Sequence, residues 1–483
     1  MRARSSTTLP ILAAVALFVV PGTATPVDAR DGDALASRLT SVVRDADLGD
    51  RIGVAVVDAG SGKNIFRHHA GLALNPASNM KLVTTAAALR NLGPDFRMLT
   101  GLYGEVEPDG RVGELVLRGF GDPSLRRSDL VELAEQLADR GVRRVDRLVV
   151  DGSYFDDRVL PPAFDQQPDE TAAFRAPVGA VAVDHGAYLL RVMPGGAAGD
   201  AARVHLAGRG YFDLENDITT KDSGGPDVVA IQRDDGEGRM KLLLRGSVPT
   251  GVLGVGYRRR VENPLAHAAW VMVDALEQVG IRPPGTVDLG RGDQEAPLLV
   301  SHKSPPVAEL VHDLGKHSDN FVAEMLLKVI GAERSRPGTS ETGARVLQET
   351  LAAAGVDAGE ASLVNGSGLF EGNRLAPGHL VALLAMMYRT PAVRPEYLSS
   401  LAVGGVDGTL ARRLDDLPAA RIVRAKTGTL ADTVALSGYV LGREPGRALA
   451  FSFLANGVRG KLGEARRLAD DLTRTLAEDL WAE

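Results

Sequence analysis

The stretch from Asn75 to Lys81 constrains this chain more than any other, because it places a serine and a lysine three residues apart at a predicted helix start. Asn is a good N-cap and Pro is favoured at the first helical position, so Asn75 and Pro76 predict a helix that runs to about Leu92. Ser78 then lies in the first turn, where backbone N–H groups lack intrahelical partners and the helix dipole favours negative charge. Both properties suit a nucleophile that forms an oxyanion.

Ser78 and Lys81 share one face of this predicted helix, so the lysine amine can reach the serine hydroxyl. An unactivated serine is a poor nucleophile and needs an adjacent base. Lysine serves as that base only where burial or a neighbouring cation lowers its pKa. Because Ser-x-x-Lys is also a common tetrapeptide on solvated helices, the motif alone leaves both interpretations open.

Composition narrows the choice of function. The 483 residues are enough for two or three domains, and the formal net charge of −7 argues against nucleic acid as a partner. The absence of cysteine excludes disulfides, thiolate metal sites and cysteine nucleophiles. The nine histidines show no zinc spacing. We therefore expect neither a metal nor another cofactor.

The N-terminus has the pattern of an export signal. Arg2 and Arg4 precede an apolar run over residues 9–20, and small residues follow as far as Ala29. The apolar run is short for a membrane span, so we predict a secretory signal peptide over residues 1–29, with an uncleaved anchor as the alternative. The mature protein is then exported to the periplasm or the extracellular space, without a stable membrane anchor.

Two kinds of pattern alternate along the mature chain. Strand-like segments separated by Gly, Pro and Asp turns dominate residues 93–261. On either side, helical periodicity alternates with apolar strands, and three strands follow one another over residues 421–456. We predict an α/β domain built from residues 30–92 and 262–483. It is interrupted by a mostly β module over residues 93–261, which forms either one unit or two subdomains.

Two further motifs change the interpretation of Ser78. Ser318-Asp319-Asn320 opens a predicted helix, and Lys426-Thr427-Gly428-Thr429 lies on a predicted strand. Ser-x-x-Lys with Ser-Asp-Asn and Lys-Thr-Gly is the signature of class A β-lactamases and penicillin-binding proteins. Lys81 is the only lysine with a serine three positions earlier, and Lys-Thr-Gly occurs once. Single occurrences in the required order make coincidence improbable.

With these motifs the chain resembles the D-alanyl-D-alanine carboxypeptidase/endopeptidase family, the type-4 or class C low-molecular-mass penicillin-binding proteins. The resemblance covers nearly all of the mature chain and includes residues 121–125, 176–180, 183–186, 365–369 and 406–410. It implies a serine β-lactamase/transpeptidase-like α/β fold, in which an antiparallel sheet is flanked by helices. It also implies a large insertion between the first and second motifs, as the patterns over residues 93–261 indicate.

The resemblance assigns roles to the charged and polar motif residues. Ser78 attacks the carbonyl of a D-Ala-D-Ala bond, with Lys81 as the base. Ser318 relays the proton to the leaving amine, and Asn320 holds the substrate amide. Lys426 keeps the cleft cationic, which favours a neutral Lys81 and attracts the terminal carboxylate of the substrate.

The remaining motif residues are expected to bind substrate. Thr427 and Thr429 would bind the terminal carboxylate through their hydroxyls, and Gly428 would let the substrate backbone lie close to the strand. The backbone N–H groups of Ser78 and Thr429 would form the oxyanion hole. The partners implied are peptidoglycan stem peptides, with β-lactams as covalent inhibitors, and the location implied is the cell wall.

Three other positions have competing interpretations. Asn365 stands where the family commonly has Asp, so a charge-dependent role there is in doubt and the segment to Gly368 is equally a plain turn. Asp319 is better interpreted as a helix-start acid than as a catalyst. His317 invites a triad interpretation, which a lysine-based site does not need.

Two alternative functions share the same motifs. A β-lactamase must deacylate rapidly, and class A enzymes do so with a glutamate in a Glu-x-x-Leu-Asn segment that this chain lacks. A peptidoglycan-binding module would keep the cleft without turnover, which three intact motifs argue against. No residue decides between carboxypeptidase and endopeptidase action.

Overall fold

The structure is a computed structural model that describes residues 29–236 and 238–482, so the predicted signal peptide up to residue 28 lies outside the described residues. In chain order, the α-helices are α1 (Ala29–Asp45), α2 (Met80–Asn91), α3 (Arg127–Asp139), α4 (Pro264–Gln278), α5 (Val307–His317), α6 (Asn320–Arg334), α7 (Ser340–Ala353), α8 (Pro377–Tyr388), α9 (Arg394–Ser400) and α10 (Leu462–Trp481). In this described part of the chain, no helix is both long and apolar enough to span a membrane.

The β-strands belong to four sheets. In chain order they are β1 (Ile52–Asp58), β2 (Asn64–His68), β3 (Leu99–Tyr103), β4 (Arg111–Gly119), β5 (Arg144–Asp151), β6 (Ala187–Met193), β7 (Arg203–His205), β8 (Phe212–Lys221), β9 (Asp227–Asp234), β10 (Met240–Pro249), β11 (Val255–Arg260), β12 (Thr286–Leu289), β13 (Leu298–Lys303), β14 (Ala402–Val403), β15 (Val423–Leu430), β16 (Thr433–Leu441) and β17 (Ala448–Asn456).

The largest sheet has six strands in the order β14-β15-β16-β17-β1-β2, and every neighbouring pair is antiparallel. Strands β1 and β2, from the N-terminal part of the chain, thus complete a sheet that the C-terminal part begins. Strand β17 is buried along its whole length because α1 and α10 cover one face of the sheet and α2 and α8 cover the other. This arrangement confirms the expected antiparallel sheet flanked by helices.

Helix α10 shows how the sequence pattern produces this packing. Leu468, Leu472, Leu476 and Leu480 recur every fourth residue, and all four are buried in the cluster under the sheet. Burying each such side chain contributes about 1.5–3 kcal/mol. The leucine stripe therefore holds the last helix against the six-stranded sheet.

The inserted region has two hydrophobic clusters of its own. One lies under a five-stranded mixed sheet in the order β12-β5-β4-β3-β13, which packs against α3 and α4. The other lies between two three-stranded sheets, β8-β10-β9 and β11-β6-β7. The second unit follows β5 and precedes α4 in the chain, so it is itself an insertion within the first.

The end of the inserted module stays a prediction, but strand pairing favours a later position than residue 261. Strand β12 pairs with β5, and β13 pairs with β3, although both β12 and β13 follow residue 261. Helix α4 also packs on α3 rather than on the six-stranded sheet. We propose that the module ends near Lys303.

Candidate active site

Ser78 lies in a short 3-10 turn, Ala77–Asn79, and the α-helix α2 continues from Met80. The Asn75 side chain accepts a hydrogen bond from the Ala77 N–H at 2.9 Å, which fixes the entry to the turn. Ala77 is buried and has a φ of 46°, an uncommon conformation for a residue with a side chain. The predicted helix start is therefore present, with its first turn tightened around the serine.

Lys81 is buried, and its Nζ meets three oxygen atoms. These are Ser78 Oγ at 3.2 Å, Asn320 Oδ1 at 2.8 Å and the Ser367 carbonyl oxygen at 2.7 Å. Burial lowers the pKa of Lys81 to about 7, although the negative charges of Glu324 and Asp319 act in the opposite direction. The amine therefore has both the position and the proton affinity of a base for the Ser78 hydroxyl.

The second motif lies at the junction of α5 and α6. Ser318 has a φ of 59°, so the chain turns sharply between the two helices. Asp319 caps α6 by accepting a hydrogen bond from the Val322 N–H at 3.0 Å, as expected of a helix-start acid. His317 is exposed at the end of α5, whereas Lys81 contacts the Ser78 hydroxyl.

The third motif lies on β15, as predicted. Lys426 is buried and donates to Ser318 Oγ and to the Thr427 carbonyl, each at 2.9 Å. Burial lowers the pKa of Lys426 well below its ordinary value, and the charge of Lys81 lowers it further. Burial thus opposes the cationic role expected of Lys426, which stays a prediction. Thr429 is exposed on the same strand.

Gly428 has a structural role that the sequence did not indicate. A Cβ atom on Gly428 would lie 3.0 Å from the Ala77 Cβ and 3.1 Å from the Ser78 nitrogen. The missing side chain therefore lets β15 approach the serine turn. This approach supports an oxyanion hole between the N–H groups of Ser78 and Thr429, which itself stays a prediction.

Two side chains join the motifs further. In the orientation that gives both ends of the Asn79 side-chain amide a hydrogen-bond partner, its nitrogen donates to the Lys426 carbonyl at 2.7 Å and its oxygen accepts from Ser437. The Thr427 hydroxyl donates to the Thr409 hydroxyl at 2.8 Å. Thr409 belongs to one of the family-like stretches, but its sequence alone indicated no contact with the third motif.

The segment from Asn365 to Gly368 is part of the cluster. The Asn365 amide donates to the carbonyls of Pro162 and Leu369, while its oxygen accepts from the Gly368 N–H and from Asn373. Because an ionised Asp could not donate to the two carbonyls, these contacts use a neutral amide. The result is a fixed turn that directs the Ser367 carbonyl at Lys81.

Glu324 is a residue of the site that sequence reasoning missed. It lies four positions after Asn320 on α6, is buried, and accepts hydrogen bonds from the N–H groups of Ser367 and Gly366 at 2.7 and 3.1 Å. Burial raises its pKa despite these bonds. A lone acid on the otherwise apolar face of a helix, one turn from a motif residue, was the available signal.

The structure combines an antiparallel sheet with a serine and a lysine at a helix start and with two further motifs around them. This combination defines a serine acyl-transferase of the β-lactamase and transpeptidase type. The model of the D-Ala-D-Ala carboxypeptidase 3 (S13) family matches residues 35–477. The chain belongs to that family.

Individual relatives agree with this assignment. The chain is 36% identical over 485 residues to a D-alanyl-D-alanine carboxypeptidase of Actinomadura sp. (strain R39), covering 95% of this chain and 87% of that protein. Its fold is similar to penicillin binding protein 4 from Haemophilus influenzae, with a TM-score of 0.75, 24% identity, and coverage of 90% and 99% of the two chains. A second structure of the Haemophilus protein, in complex with a β-lactam, gives a TM-score of 0.73 at 24% identity, with 92% and 99% coverage.

Proposed function

We propose that the protein is a serine DD-peptidase that cleaves D-alanyl-D-alanine bonds of peptidoglycan, and D-alanyl crosslinks, through an acyl-enzyme on Ser78. Membership of the carboxypeptidase family supports the reaction class. The observation that carries the residue assignment is the position of the buried Lys81 amine, 3.2 Å from Ser78 Oγ with a pKa near neutrality.

Acylation follows from the hydrogen-bonding capacity of Lys81. A neutral amine has two N–H donors and one lone pair. Asn320 Oδ1 and the Ser367 carbonyl accept the two donors, so the lone pair is left for the proton of the Ser78 hydroxyl. Ser78 Oγ then attacks the substrate carbonyl, and the developing oxyanion binds the N–H groups of Ser78 and Thr429.

Breakdown of the tetrahedral intermediate needs a proton for the leaving amine. The proton that Lys81 took from Ser78 passes to the leaving amine through the Ser318 hydroxyl, which accepts a hydrogen bond from Lys426. The terminal carboxylate of the substrate would bind at Lys426, Thr427 and Thr429, and its charge would favour the protonated form of Lys426. Lys81, neutral again, takes a proton from the water that attacks the ester and returns it to Ser78 Oγ as the acyl bond breaks.

The partners proposed are the stem peptides of peptidoglycan and, as covalent inhibitors, β-lactam antibiotics. A fold shared with a penicillin binding protein that has been observed with a β-lactam supports the second partner. Peptidoglycan lies outside the cytoplasm, so we further propose that the protein is exported and acts at the cell wall, as the N-terminal pattern predicts.

The test combines labelling with product analysis. Wild-type protein incubated with benzylpenicillin should form a long-lived adduct at Ser78, detected by intact mass, and should release D-alanine from a D-Ala-D-Ala peptide. Ser78→Ala should do neither, while Ser223→Ala, at an exposed serine, should behave as wild type.

Other results would select another function. Rapid hydrolysis of benzylpenicillin without an adduct would indicate a β-lactamase. Equal inactivity of wild type and Ser78→Ala on peptides would indicate a binding module. Released D-alanine and cleaved crosslinks, measured together in one digest of purified cell wall, give the balance of carboxypeptidase and endopeptidase action.

A further inference from the structure

The inserted module touches three consecutive residues at the start of α6. The Phe174 carbonyl accepts a hydrogen bond from Asn320 Nδ2 at 3.0 Å. The ring of His185 lies 3.1 Å from Asp319 through Nδ1, and it stacks on Phe321 with ring centroids 5.5 Å apart. The second motif is thus held from outside the catalytic domain.

The Phe174 contact determines which way the Asn320 amide faces. Because Nδ2 donates to the Phe174 carbonyl, Oδ1 is the end that faces Lys81, where it accepts a hydrogen bond. The reversed amide would place oxygen against oxygen and N–H against N–H. The loop that presents the carbonyl is itself fixed by the buried Arg175 guanidinium, which donates to carbonyls of that loop, including Glu170 at 2.8 Å.

His185 holds the adjacent residue. Asp319 uses one carboxylate oxygen to cap α6 and the other to accept from His185 Nδ1, since a carboxylate accepts hydrogen bonds and does not donate them. His185 and Asp184 both have positive φ values, of 63° and 54°, and the Asp184 carbonyl accepts from Arg258 at 2.7 Å. The His185 ring is therefore presented by a tight turn.

We propose that His185 is a positioning residue for the reaction, which acts through Asp319 on the orientation of Ser318 and Asn320. The inserted module then completes the catalytic site rather than only extending the protein. This inference rests on the proposed acylation of Ser78, which the Ser78→Ala experiment tests separately.

Two substitutions at His185 separate the hydrogen bond from packing. His185→Phe keeps a ring for the stack on Phe321 but loses the Nδ1 donor. His185→Asn loses the ring but places an amide donor near the position of Nδ1, and Asn tolerates a positive φ. The readouts are the rate of adduct formation with benzylpenicillin, kcat and KM on a D-Ala-D-Ala peptide, and the melting temperature.

The hydrogen bond to a charged group predicts about a tenfold slower acylation for His185→Phe, with recovery to within about threefold of wild type for His185→Asn. The loss should appear in kcat and in the acylation rate, both measured well below the melting temperature of each variant, because losing this hydrogen bond also lowers stability. Acylation of His185→Phe at the wild-type rate would overturn the proposal, and so would equal slowing of both variants.

A second variant loosens the turn from the surface of the module. Arg258→Ala removes the hydrogen bond to the Asp184 carbonyl without touching the catalytic domain, so it should also slow acylation. It is the test to use if His185→Phe does not fold. Arg258→Ala at the wild-type rate would then reject the proposal. If wild type labels Ser78 normally in either case, the proposed function stands and only the role of His185 fails.

Discussion

The acylation of Ser78 should depend on pH through the protonation of Lys81. Only the neutral amine has a lone pair for the Ser78 proton, so protonated Lys81 cannot act as the base. Burial lowers the pKa of Lys81 from 10.5 to about 7. The rate of acylation should therefore rise with pH and reach half of its plateau near pH 7.

The size of the effect follows from that shift. Lowering the pKa of Lys81 from 10.5 to about 7 corresponds to about 5 kcal/mol of differential interaction between the two protonation states. At pH 7 about half of Lys81 is neutral, against about one molecule in 3,000 for an ordinary lysine. Titration of a single base then makes acylation about 25-fold slower at pH 5.5 than at pH 7.5.

The assay is the second-order rate of adduct formation with benzylpenicillin, followed by intact mass across this pH range. Lys81→Arg is the matched control, because a guanidinium stays protonated throughout and should not support acylation at any of these pH values. A circular-dichroism spectrum at each pH shows whether the fold persists. A rate that changes less than threefold between these pH values, or a midpoint above pH 9, would refute Lys81 as the titrating base.

Two further substitutions test the surroundings of the serine turn. Glu324→Gln removes a negative charge that raises the pKa of Lys81, so the midpoint of the acylation profile should move to lower pH; a move to higher pH contradicts this. The same change leaves one buried N–H without its acceptor, which should cost about 1–3 kcal/mol of unfolding free energy in a denaturant titration. Gly428→Ala places a methyl group 3.0 Å from the Ala77 Cβ and should both slow acylation and cost about 1–3 kcal/mol. Gly71→Ala, at a glycine with open space around it, is the control, and equal behaviour of the two alanine variants would show that the strand can move away.

Local patterns were sufficient for the elements that carry the motifs. The helix after Ser318 begins where the Asp319 cap indicates. Lys426 lies on a strand because the surrounding residues are apolar and β-branched. These signals are short-range, so one stretch of sequence contains all the information that each of them needs.

The strands that the sequence did not reveal are polar or lie in pairings between distant segments. Strand β8, Phe212–Lys221, consists mostly of charged and polar residues, and β11 ends in three arginines. Strand β13 pairs with β3, far earlier in the chain, and neither strand alternates clearly between apolar and polar residues. Tertiary pairing, rather than local periodicity, makes these segments strands.

The groups that form the site are likewise of two kinds, those that the sequence reveals and those that only the fold reveals. Ser78, Lys81 and the other motif side chains could be found because residue type is visible in a sequence. The Ser367 and Phe174 carbonyls could not, because every residue has a carbonyl and only the fold determines which one faces a lysine or an amide. Backbone acceptors are therefore the part of this site that required the structure.

Those backbone acceptors explain why an insertion can matter to chemistry at the first motif. Lys81 can direct its lone pair at Ser78 only while Asn320 Oδ1 and the Ser367 carbonyl both take its N–H groups. The inserted module supports both acceptors, one through the Phe174 carbonyl on the Asn320 amide and the other through the Pro162 carbonyl on Asn365. If either support is lost, the acceptor can turn away, and the buried amine gains a free N–H while its lone pair loses a fixed direction. We therefore propose that the base of this enzyme is a lysine whose orientation depends on two loops of the inserted module.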